Sequence, residues 1–251
     1  MGSGHLDCDN GEIAVIECHY TGSVSVTASS PAVPCPSSYL GRGIYDVVEV
    51  ARLIKRTRCR VEGWTRASAD EAPLLPGELN GLFSFWDLLS LRVIGELQER
   101  GVPRNEIARG ADYLAAELGT HRPFAHEGLA TVGRGFFASI ENWEDVGRGR
   151  QQAFQIVVEP LLEPITFNDS GMATIWRPHR CVWVNPDVQA GAPCVDGTRI
   201  PTGTLADLQG TGLGIEDLSD DYHLSPEQVQ AAIAYETSLT ASDVDREFAT
   251  L

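Results

Sequence analysis

The chain has 251 residues but a single lysine, Lys55, beside eighteen arginines and 35 acidic residues, for a formal net charge of −16. So acidic a surface disfavours non-specific association with nucleic acid or a membrane surface, and suits basic partners. No apolar run approaches the roughly 20 residues that span a bilayer, so no membrane partner is expected. The six cysteines (Cys8, Cys18, Cys35, Cys59, Cys181, Cys194) form no CxxC pair and no dense framework. Free thiols in a reducing cytoplasm are the default reading. No Lys or Arg precedes Arg42, so a secretory n-region is missing, and Met1-Gly2-Ser3-Gly4-His5 looks like a cloning remnant.

Catalytic signatures are also missing. Gly210-Thr211-Gly212-Leu213-Gly214 lacks the P-loop lysine and a preceding strand, and reads as a turn between helices. There is no nucleophile elbow, HExxH or paired-carboxylate motif. His121, His126 and His223 have no ligand-spaced partners. His179, Cys181 and Cys194 make only a weak metal pattern, and a surface histidine beside two small half-buried cysteines is the favoured reading. Arg148 and Arg150 sit in a Gly-Arg-Gly-Arg turn, read as solvated rather than anion-binding. The chain is therefore expected to be no enzyme and to need neither cofactor nor metal.

What is present begins near the C-terminus. Residues 202–209 suit a short helix, with Leu205 and Leu208 on one face and Gly210 as its C-cap. Residues 215–222 suit a second, with Ile215 and Leu218 inward. Ser225, Pro226 and Gln228 spell a capping box for a third, running to about Tyr235 with Val229, Ala232 and Ile233 at helical spacing. Helices this short must pack as a tri-helical unit. From Asp196 onward two arginines face eleven acidic residues, a balance of −9 that would repel phosphates. Dimerisation or partner binding suits this module better than DNA.

Residues 42–66 reverse that charge. Arg42, Arg52, Lys55, Arg56, Arg58, Arg60 and Arg66 face Asp46, Glu49 and Glu62, a balance of +4. Asp46 caps a first helix with an apolar face of Val47, Val50, Ala51, Leu53 and Ile54. After a turn, Thr57 caps a second helix to about Trp64, with Val61 and Trp64 inward. An arginine-rich solvated helix on any small domain is the alternative to a DNA-binding face. Further on, Ser84 caps a helix with Asp87 at N3 and a broad apolar stripe from Phe85 to Leu97. Pro103 opens another that ends at Gly119.

Between the two modules the elements are shorter. Residues 151–159 suit a helix that Pro160 ends or bends. Residues 165–167 and 172–176 flank a polar Asn-Asp-Ser-Gly turn as a β-hairpin, and Val182-Trp183-Val184 adds a third strand. The aromatics here (Phe136, Phe137, Trp143, Phe154, Phe167, Trp176, Trp183) suit a packed core, with a ligand pocket as the alternative. The expected fold is mainly α: two helix-turn-helix modules joined by a small β-sheet. The segments are a partly disordered head (1–42, with a short strand compatible with 13–17), a helix-turn-helix and helix pair (43–120), a mixed connector (121–184), a tri-helical domain (185–236) and a tail (237–251).

Three stretches resemble two known families. Val184-Asn185-Pro186-Asp187 with Gly191 to Pro201 (Gly-Ala-Pro-Cys-Val-Asp-Gly-Thr-Arg-Ile-Pro) resembles the opening of a small bacterial helix-turn-helix domain found in many antitoxins. The Ala51-Arg52-Leu53 helix followed by a helix ending in Trp64 resembles the N-terminal helix-turn-helix of MerR-like regulators. Leu97-Gln98-Glu99-Arg100-Gly101-Val102-Pro103 resembles the helix pair after their wing, and residues 70–82 would be that wing. Together the order of parts resembles VapB-type antitoxins. That resemblance implies a cytoplasmic homodimer that binds operator DNA, represses its own operon and neutralises a PIN-like ribonuclease toxin. The implied DNA contacts are Arg52, Lys55, Arg56, Thr57, Arg58, Arg60 and Arg66. In the tail, Arg246, Phe248 and Leu251 are candidates for a toxin clamp, with a frayed terminus as the alternative reading. A stand-alone MerR-like regulator with a ligand site in the middle segment is the alternative.

Overall fold

The computed structural model describes residues 42–67, 72–77, 81–138 and 158–248. The expected head with its strand at 13–17, parts of the 70–82 loop, Trp143, the Gly-Arg-Gly-Arg turn, residues 151–157 with Phe154, and Leu251 lie outside them.

Five helices lead the described part: α1 (Val47–Leu53), α2 (Arg58–Thr65), α3 (Phe85–Glu99), α4 (Arg104–Leu118) and α5 (Leu129–Ala138). Their starts follow the side chains that can satisfy unpaired N–H groups. The Asp46 carboxylate accepts from the Glu49 N–H and the Thr57 hydroxyl from the Arg60 N–H. Ser84 and Asp87 cap α3 reciprocally, as a capping box. Asp87 is fully buried, and its second oxygen receives the Arg122 guanidinium at 2.6 Å. The same carboxylate thus caps a helix and fixes the turn that follows α4.

The strands β1 (Ile165–Phe167), β2 (Ala173–His179), β3 (Val182–Val184) and β4 (Pro193–Val195) form an antiparallel meander in chain order. Three of them fall where alternation and turn chemistry place them. The fourth was hidden: Pro193 has no N–H and reads as a turn, yet at a sheet edge it pairs with Val184. Helices α6 (Thr202–Gly210), α7 (Ile215–Tyr222) and α8 (Pro226–Phe248) complete the chain. The architecture is mainly α with a small four-stranded antiparallel sheet.

Four boundaries depart from the sequence expectation, the first being β2, which runs to His179 rather than stopping at Trp176. Gly210 lies inside α6 rather than capping it, and Gly212, at φ +103°, makes the left-handed turn. Helical conformation continues through residues 158–162, so Pro160 does not end it, and Leu161 and Leu162 are buried there. Helix α8 runs thirteen residues past Tyr235, because Tyr235 and Leu239, one turn apart, are both buried in the larger core.

That larger core gathers α1 to α4, Trp176 of β2, Val182 and Val184 of β3, and Tyr235 and Leu239 of α8. A smaller one holds Val195, Leu205, Leu218, Leu224, Val229 and Ala232. Helix α8 contributes to both, its first turns to the small core and its middle to the large one. Among the described residues no helix is long and apolar enough to cross a membrane.

Candidate nucleic-acid interface

Helices α1 and α2 meet at a tight turn built by the backbone. Lys55 takes the left-handed conformation at φ +54°, its N–H reaches the Arg52 carbonyl and the Arg56 N–H reaches the Ala51 carbonyl at 2.9 Å. This is a Schellman end, and Lys in place of the usual glycine costs about 1 kcal/mol. The turn is held from outside. Tyr45 is buried, its backbone bridges Phe83, and its hydroxyl donates to the Gly191 carbonyl at 2.8 Å. Gly191 sits at φ +91°, and a Cβ there would lie 2.1 Å from the Tyr45 oxygen, so the Gly191-Ala192-Pro193 stretch is shaped to receive the start of α1. Burial also pushes the Tyr45 hydroxyl well above its ordinary pKa.

Helix α2 lies on α3 because α3 lacks a side chain at one position. A Cβ on Gly95 would come 3.0 Å from the Trp64 ring and 3.1 Å from Arg56 Nε. A glycine in mid-helix costs about 1 kcal/mol against alanine, and here it admits Trp64, whose indole N–H donates to Gln98 at 2.7 Å.

The basic side chains of this pair divide into two sets. Arg52 bridges to Glu236 of α8 at 2.8 Å, and Lys55 donates to Ser238 of the same helix. Glu236 also accepts from the buried Thr202 hydroxyl at the start of α6. Arg56 reaches Glu96 at 3.2 Å and Glu99 at 2.7 Å, both on α3, and its side chain is only 17% exposed. These three cations tie elements of the fold together, and Thr57 serves as a cap. By contrast Arg58, Arg60 and Arg66 are 61%, 57% and 68% exposed. Arg58 and Arg66 share Glu62 at 2.8 and 3.2 Å, and Arg60 reaches Glu99 at 3.6 Å. Exposed pairs of this kind contribute about 0.2–1 kcal/mol, little enough to be exchanged for a phosphate. The outward cationic face of the module is therefore these three arginines.

Residues 182–235, from β3 to the middle of α8, match the family described as "Protein of unknown function (DUF433)". The antitoxin candidate VapB45 of Mycobacterium tuberculosis is 23% identical over 221 residues, covering 76% of this chain and 92% of the relative. The crystal structure of Rv2018 from Mycobacterium tuberculosis superposes with a TM-score of 0.59 at 22% identity, over 75% of this chain and 96% of that one. The fold is thus shared along most of both chains.

Elsewhere, α7 presents Glu216, Asp217, Asp220 and Asp221, all exposed, with no Lys or Arg between Arg199 and Arg246. Arg246 and Phe248 belong to the last turns of α8. A small open cleft of about 140 Å³ lies between the start of α3 and the β1–β2 turn, lined by Arg42, Trp86, Thr174 and Asp187 among others. It falls below the roughly 300–1,000 Å³ of small-molecule sites. Of the aromatics singled out in the sequence, Trp176 is buried beneath Arg92, whose guanidinium lies 5.1 Å from the ring centroid. Burial pushes Arg92 down to about 10. The residues that sequence reading missed are the acids Glu96, Glu99 and Glu236. They lie 39 and more positions from the arginines of the basic island that they hold, and no local pattern announces those pairings.

Proposed function

We propose that this chain is the antitoxin of a toxin–antitoxin pair that neutralises a PIN-like ribonuclease and represses its own operon by binding DNA as a homodimer. The observation that carries the reading is the similarity to an antitoxin candidate over 76% of this chain and 92% of that relative. The shared fold, with its match over residues 182–235, supports it.

The two partners are assigned to two faces of opposite charge. Operator DNA meets α2, where Arg58, Arg60 and Arg66 face outward in the manner of a MerR-like helix-turn-helix. Arg52, Lys55 and Arg56 support this face by fixing α1 and the turn rather than by touching phosphate. The toxin, a basic partner, meets the acidic face of α7 and the end of α8 with Arg246 and Phe248. The test is a pull-down from native extract with this chain as bait, followed by mass spectrometry and sequencing of bound DNA. A small basic ribonuclease together with the chain's own promoter is the expected catch. Promoter DNA without such a protein would overturn the antitoxin assignment, and neither would overturn both.

A further inference from the structure

Glu96 and Glu99 stand at the carbonyl end of α3, where the helix macrodipole disfavours an acidic side chain. Three arginines converge on them. Arg56 reaches both, Arg60 reaches Glu99 at 3.6 Å, and Arg100 returns to Glu96 at 3.1 Å. A carboxylate at the end of one helix thus pairs with a guanidinium on the outward face of another, the place a backbone phosphate would take. Glu99 is 41% exposed and lies at the rim of that face, whereas Arg56 beneath it also has Glu96.

We propose that Glu99 is an intramolecular stand-in for a DNA phosphate: it pairs with the Arg60 guanidinium at 3.6 Å and must be displaced when duplex DNA docks on α2. The inference rests on the DNA-binding reading given above. Displacement makes the interface self-limiting. Affinity for every duplex is lowered by the strength of the internal pair, which shifts the concentration at which binding begins. This is an autoinhibitory contact set by one carboxylate.

The test is fluorescence anisotropy with a labelled duplex carrying the DNA upstream of the chain's own reading frame, with the full chain at low salt. Glu99→Gln keeps the shape and removes the charge, and Arg56 retains Glu96, so the fold is expected to hold, as a thermal melt checks. The variant should bind about threefold to fivefold more tightly, the range one exposed ion pair supplies. Glu227→Gln removes another exposed paired carboxylate, 57% exposed against 41% for Glu99, from the start of α8, where it meets Arg180, and controls for overall charge. In an Arg60→Ala background the gain from Glu99→Gln should shrink to the level of that control. A gain no larger than the control's, or one that survives the loss of Arg60, overturns the proposal while leaving the DNA reading intact. Failure of the wild type and Glu99→Gln alike to bind the duplex overturns both. Binding by Glu99→Gln where the wild type shows none supports both.

Discussion

The α1–α2 pair and the α6–α8 bundle share one local design and carry opposite surfaces. In each, a short helix ends on a non-glycine residue in the left-handed conformation, Lys55 at φ +54° after α1 and His223 at φ +54° after α7. In each, a capped helix follows at once, opened by Thr57 or by the Ser225–Gln228 box. The outward side chains differ: Arg58 and Arg60 on α2 with Arg66 at its C-cap, but Glu216, Asp217, Asp220 and Asp221 on α7. The same left-handed turn followed by a capped helix thus carries opposite surface charge in the two regions. The modules also differ in how they are held. The first sits in the large core and is pinned by ion pairs from α3 and α8, whereas the second packs on a small cluster of its own and reaches the large core through Tyr235 and Leu239 of α8.

The largest expected effect exploits that small cluster. Leu218 is fully buried in it, so Leu218→Ala should cost about 2–4 kcal/mol, measured by urea unfolding. An account with two differently supported modules expects partner capture to be lost while the duplex is still bound. Equal loss of both would merge the two regions. Next is Gly95→Ala. Its Cβ presses on Trp64 and Arg56, and overpacking of about 1–3 kcal/mol is offset by about 1 kcal/mol of helix propensity. A net loss of about 1 kcal/mol with weakened duplex binding is expected, and a stabilised variant would show that α2 does not depend on that gap. The smallest stability effect belongs to the exposed arginines, where Arg58→Ala, Arg60→Ala and Arg66→Ala should each cost under about 1 kcal/mol.

Much of this was legible in the sequence because it is local. Asp46, Thr57, Ser84 and Ser225 announce their helices through side chains that reach N–H groups two or three residues on. The hairpin at 165–176 follows from alternation around an Asn-led turn, whose Asn168 side chain accepts from the Ser170 and Met172 N–H groups. What stayed hidden is set by tertiary contact. Pro193 is strand only because Val184 lies beside it, and α8 continues past Tyr235 only because the large core receives it. The candidate site was half legible for the same reason. Counting charge along the chain finds the basic island, but its division into structural and outward arginines depends on Glu236, Glu96 and Glu99, which are remote in sequence.

The most direct test of that division is a salt titration of duplex binding by the wild type and by an Arg58→Ala/Arg60→Ala/Arg66→Ala variant, using the DNA upstream of the chain's reading frame. The account predicts wild-type binding that weakens steeply with salt, and a variant that folds normally but binds at least about tenfold more weakly, its log–log salt slope smaller by up to about 3. Superimposable titrations of the two proteins would contradict the assignment of DNA contact to the outward face of α2.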